Sequence, residues 1–244
     1  GYATVAVPAS LETIFEIKMT EVMSLGVGGA GPALDAGAED AILDHCRRAA
    51  AVVLGSGVGK SEGMPDLMAS LAESIPGPLV IDADGLSALA GRAGELGGRT
   101  EPTLLTPHEG EAARLLGVDW EEVAAHRLES AVRLAESSGA VVVLKGDDSI
   151  VTDGDRIAIN DMPAPGLATA GTGDVLAGIC GAFLGHGLDP FTAACAAVRI
   201  HTLAGRLAAG ELGSAEAMIA SDVIESLPAA LSSAAAHGGD GRVG

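Results

Sequence analysis

Gly166-Leu167-Ala168-Thr169-Ala170-Gly171-Thr172-Gly173-Asp174-Val175-Leu176-Ala177-Gly178 reads as a turn that runs straight into a helix. Val175, Leu176, Ile179, Ala182 and Phe183 recur at helical spacing and form one apolar stripe. Gly171, Thr172 and Gly173 then fall at the mouth of that helix. There, free backbone N–H groups and the helix dipole favour an anion. Asp174 sits where the same dipole favours its ionised form. A carboxylate beside an anion hole is what deprotonating a hydroxyl for phosphoryl transfer requires. The plain alternative is that Asp174 only caps the helix.

Upstream of this turn, strand-like runs alternate with helical ones. Residues 4–7, 51–54, 79–82, 103–106 and 140–144 read as strands, the last strongly β-branched. Helices are expected over 36–48, 65–74, 108–116 and 120–138. Residues 149–152 and 156–159 form a hairpin, with Asp153-Gly154 as a two-residue turn. After Pro163 the chain is mostly helical, over 174–186, 190–209 and 221–236, and the Gly-rich end 237–244 reads as a disordered tail. Repeated strand–helix units predict an α/β fold, a three-layer α/β/α sandwich on a mostly parallel central sheet. With no linker or repeat, residues 1–236 read as a single domain. The chain opens almost directly on a strand, which suggests missing upstream residues.

The composition agrees. Aromatic residues make up 2%, so the core is built from Ala, Val, Leu and Ile, a composition suited to helices packed on a buried parallel sheet. Acidic residues number 33 against 14 Lys and Arg, a formal charge of −19 that repels nucleic acid and anionic membrane. No nucleic-acid or membrane partner is expected. Cys46, Cys180 and Cys195 show no metal spacing and suit a reducing cytoplasm. The Ala/Gly-rich terminal helices could pack against a neighbour, and a homo-oligomer, such as a tetramer, is expected.

Ligands of such sheets bind beyond the carboxyl ends of the strands. After the strand at 51–54 comes Gly55-Ser56-Gly57-Val58-Gly59-Lys60-Ser61. A phosphate-binding P-loop would need Gly where Leu54 stands, so this is a glycine-rich loop that admits a ligand, or a tight turn only. Next come Asp82 and Asp84, able to orient a ligand or, for Asp84, to cap a helix. Thr106 with Glu109 matches a capping box, which leaves His108 at the helix start on the ligand side. Lys145, at the head of Lys145-Gly146-Asp147-Asp148-Ser149, is a point charge suited to phosphate, unless it merely pairs with Asp147 or Asp148. His186 and His201 lie in helices and read as packed or exposed rather than catalytic.

These residues together resemble the ADP/ATP-dependent NAD(P)H-hydrate dehydratases of the ribokinase-like superfamily. The likeness rests on Gly55–Gly59, Val80–Leu86, Leu105–Leu116, Leu144–Gly146, Ala168–Gly178, His201–Gly205 and Ala220–Asp222. It implies a ribokinase-like fold and a hydro-lyase that repairs hydrated NADH or NADPH at the expense of ADP or ATP, with Mg²⁺ assisting. The C6 hydroxyl of the hydrate would be phosphorylated and then eliminated. Asp174 would be the base and Gly171, Thr172 and Gly173 the anion hole. Gly57, His108 and Asp174 would contact the hydrate. Lys145, Gly146, Asp147, Asp148, Ser149 and Gly173 would contact the adenine nucleotide; no protein-held metal cluster is implied. The chain departs from the family at Glu109, where Pro is usual, at Gly85, where Ala is common, and at Lys60-Ser61. The family also carries an earlier strand and ligand loop. Two other readings stay open, a kinase of a vitamin precursor such as a thiazole or pyrimidine alcohol, and a nucleotide-binding module without turnover.

Overall fold

A computed structural model describes residues 1–59 and 61–238. Lys60, and the expected tail from residue 239 onward, lie outside the described residues. In chain order the elements are β1 (Thr4–Pro8), α1 (Glu12–Lys18), β2 (Met23–Val27), α2 (Glu39–Cys46), β3 (Val52–Leu54), α3 (Met64–Ser74), β4 (Leu79–Ile81) and α4 (Ala83–Ala88). Next come β5 (Thr103–Leu105), α5 (Glu109–Leu116), α6 (Trp120–Ala125), α7 (Arg127–Ser138), β6 (Val141–Leu144), β7 (Ser149–Thr152) and β8 (Ile157–Asn160). Three helices finish the described chain, α8 (Thr172–Gly185), α9 (Pro190–Leu212) and α10 (Ala220–Gly238).

The main sheet runs β3-β4-β5-β6-β7-β8, in sequence order. Strands β3 to β6 are parallel, and β7 and β8 continue it antiparallel. Each parallel crossover returns to the adjacent position, and right-handed crossovers of that kind leave their helices on one face. The packing follows this rule. Ile81, Leu105, Val142 and Leu144 meet Met68, Leu115 and Leu134 of α3, α5 and α7. Val80, Leu104 and Val143 point the other way, onto Leu176 and Cys180 of α8 and Ala194 and Val198 of α9. Apolar runs that look continuous in sequence thus serve both faces, and the three-layer α/β/α sandwich is as expected. Fully buried Ala193, Ala194 and Ala197 let α9 approach closely where aromatic residues are scarce.

Three local expectations are corrected, and two elements are added. Residues 120–138 form two helices, because the backbone breaks at His126 (φ −133°, ψ 50°). The hairpin turn has four residues, since Thr152 pairs with Ile157. Asp153 tightens it by accepting the Asp155 and Arg156 N–H groups at 3.1 and 2.7 Å. Over 36–48 the α-helix proper starts at Glu39, after a short 3₁₀ turn capped by Asp35. Finally, α1 and β2 had no expectation at all. Gly26 weakens the strand signal of β2, and its N–H is bound by the Glu12 side chain of α1 at 2.8 Å. Strand β2 pairs in parallel with β1 as a separate sheet.

Candidate active site at the strand ends

The carboxyl ends of β3, β4, β5 and β6 lie along one edge, and the backbone stays paired just past them. The Asp82 N–H donates to Leu54 O at 3.0 Å, Thr106 N–H to Ile81 O at 3.2 Å, and Lys145 N–H to Pro107 O at 2.8 Å. Gly55 turns through φ 117°, and any Cβ there would collide with the carbonyl of Asp82. Gly85 faces it, and a Cβ on Gly85 would lie 3.1 Å from the Gly55 Cα. Two glycines back to back therefore let the β3-end loop press on the first turn of α4. That contact gives Gly85 its reason. Ala83 takes a left-handed φ of 51°, a sparsely populated conformation for a side-chain-bearing residue. It lies between Asp82, whose carboxylate is bound inside the site, and Asp84, whose Oδ2 accepts the Gly59 N–H at 3.0 Å.

Asp82 is 2% exposed. Its Oδ1 accepts from Thr106 Oγ1 at 2.8 Å and from Lys145 Nζ at 2.9 Å. Lys145 Nζ also lies 3.7 Å from Glu111 Oε2. Asp82 is thus an internal anchor, not a ligand hook. Lys145 pairs with neither Asp147 nor Asp148, as one alternative had it, and its charge is set against two carboxylates. Free anion-binding capacity therefore rests mainly with backbone N–H groups. The capping box also sits elsewhere than expected. His108 Nδ1 accepts the Gly110 N–H at 3.0 Å, and Glu111 accepts the His108 N–H at 2.9 Å. Thr106 instead serves Asp82. His108 Nε2 lies 3.6 Å from Glu111 Oε1 and the side chain is largely open.

At the α8 entrance Gly171 has φ 88°, a conformation suited to glycine. Thr172 Oγ1 donates to Leu167 O and Thr169 O at 2.6 and 2.8 Å, which fixes the turn. Asp174 is exposed in the first turn and has no hydrogen-bond partner among the described residues, so it is no cap. A Cβ at Gly173 would lie 3.5 Å from Lys145 Nζ, which joins the turn to the Lys145–Asp82 pair. His108, Lys145, Gly146, Asp147 and Asp148 border one cleft of about 420 Å³, with Trp120 and Arg127. A larger cleft, about 520 Å³ by Gly91, Leu115 and Arg133, holds no candidate residue. Gly57, at φ 72°, is exposed with open space where a Cβ would stand, and, two residues on, the Gly59 N–H joins its loop to Asp84. Ser149 Oγ donates to Gly146 O at 3.1 Å and closes its loop.

Sequence reading passed over Glu111 and Arg127. Glu111 followed Glu109 in a stretch already assigned to a cap, and Arg127 lay inside a presumed continuous helix. His201 is 7% exposed and packs beneath Thr172. Burial pushes its pKa down to about 4, against a raising hydrogen bond to the Thr172 backbone, and the Lys145 charge lowers it further. An unfolded His protonates near 6.5, so the stabilising neutral state is fully present above that pH and is lost as pH falls toward 4. Between about pH 7.5 and 5 the loss is roughly 2 kcal/mol. Urea midpoints at the two pH values should fall less for His201→Gln than for the parent; equal falls would remove His201 as the cause. Cys180, behind Asp82, is pushed up to about 12 by burial and the Asp82 charge, so it is an inert thiol.

A family model described as NAD(P)H-hydrate dehydratase matches residues 1–229. A bifunctional NAD(P)H-hydrate repair enzyme from Moorella thermoacetica is 38% identical over 231 residues, covering 93% of this chain. The chain spans 43% of that relative's length. Among solved structures, an ADP/ATP-dependent NAD(P)H-hydrate dehydratase from Bacillus subtilis, co-crystallised with ATP/Mg²⁺, is 25% identical with a TM-score of 0.76, covering 95% of this chain and 78% of its own. A ribokinase-like superfamily protein from Enterococcus faecalis, 21% identical, has a TM-score of 0.73 over 93% of this chain and 75% of its own. The ribokinase-like fold expected from the sequence is therefore the fold of the chain.

Proposed function

Because the chain belongs to the NAD(P)H-hydrate dehydratase family, we propose that it restores NADH or NADPH from the hydrated form at the expense of ADP or ATP. The carrying observation is Asp174, exposed and without a hydrogen-bond partner among the described residues, directly after a glycine turn whose Thr172 N–H is held only weakly, by Thr169 O at 3.4 Å. In this reading Asp174 takes the proton of the C6 hydroxyl as its oxygen attacks the terminal phosphoryl group. A new O–P bond forms and the bond to the nucleotide's leaving phosphate breaks. The N–H groups of Gly171, Thr172 and Gly173 meet the charge that develops on the phosphoryl oxygens. Departure of phosphate from C6, with a proton from the adjacent carbon, then restores the ring double bond.

Gly57 and His108 border the hydrate, and Lys145–Ser149 with Gly173 border the nucleotide. Asp147 and Asp148 are exposed carboxylates and suit nucleotide hydroxyls better than phosphate, which belongs at the turn. No three His, Cys, Asp or Glu side chains converge on a metal position among the described residues. One or two carboxylates are what a Mg²⁺ carried in on nucleotide phosphates takes, so Mg²⁺ is part of the co-substrate. The free thiols Cys46, Cys180 and Cys195 suit the cytoplasm as its compartment.

The test supplies hydrated NADH with ADP or ATP and Mg²⁺ and follows the absorbance of reduced nicotinamide. Recovery dependent on either nucleotide is expected. Phosphorylation of a thiazole or pyrimidine alcohol at the expense of ATP, with no recovery, would favour a vitamin-precursor kinase instead.

A further inference from the structure

Arg127 opens α7, where the helix dipole disfavours a cation, and its side chain is only 16% exposed. Something outside the helix must hold it there. Nη1 pairs with the Glu109 carboxylate and donates to Lys145 O at 3.5 Å. Nη2 donates to Asp148 O at 3.3 Å and lies 3.2 Å from Asp148 Oδ1. The guanidinium also lies so close beneath Gly146 that a Cβ there would collide with it. One planar fork thus grips both ends of the Lys145–Asp148 segment and, on its other side, the residue next to His108. The Glu109 carboxylate is what completes the grip.

We propose that Arg127 is a positioning residue that couples the two ligand segments, so that adenine nucleotide on the Lys145–Ser149 loop and the hydrate beside His108 tighten each other's binding. This rests on the function proposed above. Gly146, Asp147 and Asp148 are exposed, and between the Lys145 strand end and the Ser149–Gly146 bond a nucleotide seated on them restricts the stretch that the fork holds. The same guanidinium then holds Glu109, and with it the start of α5 that carries His108. Ordering one segment lowers the cost of ordering the other, which is a coupling free energy between sites.

The test uses Asp174→Asn protein, in which the proposed turnover is blocked, and calorimetric titration with ADP and Mg²⁺, with and without saturating hydrated NADPH. The hydrate should lower the ADP Kd about fivefold or more. Arg127→Gln should bring that ratio close to one, and Arg127→Lys should not restore it, because a lysine lacks the fork. Glu109→Gln keeps the loop contacts and cuts only the link to α5, so it should lose the ratio while ADP affinity alone stays within about twofold. That selective loss is not what a merely structural role produces, and it decides the matter if Arg127→Gln does not fold. A ratio unchanged in Glu109→Gln overturns the coupling, as does a parent that binds both ligands independently; both leave the proposed reaction standing. A parent that binds neither ligand overturns both.

Discussion

Asp174→Asn should bind ADP or ATP about as well as the parent and lose at least about 10²-fold in kcat for hydrate repair. The substitution keeps the shape and removes the base. Nothing else should change, because the Asp174 carboxylate is exposed and has no hydrogen-bond partner among the described residues. The turn is held instead by Thr172 through Leu167 O and Thr169 O, and both bonds survive. Loss of a negative charge near the phosphates should not weaken nucleotide binding. Steady-state rates and a parallel calorimetric Kd check this. Near-normal kcat would remove Asp174 as the base, and a large loss of ADP affinity would mean that Asp174 is chiefly a nucleotide ligand.

Lys145→Ala is expected to weaken ADP binding more than hydrate binding, and also to destabilise the fold by about 3–5 kcal/mol. The second effect follows from Asp82. With its ammonium partner gone, a carboxylate 2% exposed keeps only the Thr106 hydroxyl, and Glu111 loses its cation as well. Poor binding by the single variant could then reflect a loosened sheet edge. The double variant Asp82→Asn/Lys145→Met separates the causes, because it removes the buried charge together with its partner. Urea denaturation should show most of the stability restored, while calorimetry shows ADP affinity still reduced. Parent-like ADP affinity in the double variant would mean that the ammonium never served the nucleotide. An unshifted urea midpoint for Lys145→Ala would mean that Asp82 does not depend on it.

Much of the fold was readable because β4, β5 and β6 are apolar on both faces and end in Asp82, Thr106 and Lys145. That pattern marks a buried parallel sheet and its ligand edge. The Gly171–Asp174 turn was readable for a local reason, since glycine at a helix entrance acts through its own backbone. What stayed hidden was pairing at long range. Lys145 and Asp82 are 63 positions apart, so no spacing rule reveals their contact, and the sequence offered Asp147 and Asp148 as nearer partners. The capping box was misplaced by a competing match, since Thr106-Glu109 and His108-Glu111 share one spacing and only the backbone path selects the second. Strand β2 was lost because Gly26 yields its side-chain space to Glu12.

The backbone bonds that continue past the strand ends divide the ligand edge into two mechanically different halves. Asp82, Thr106 and Lys145 are each tied to a neighbouring segment by a main-chain bond, so these strand ends are ordered before a ligand arrives and only the exposed Gly146–Asp148 stretch beyond them is left to be ordered. Gly57, exposed and with open space where a Cβ would stand, belongs to the other half, a glycine-rich loop held by the Gly59–Asp84 bond and by Val58 packed on the core. The glycine-rich end of β3 thus faces a wall whose strand ends are held by the main chain.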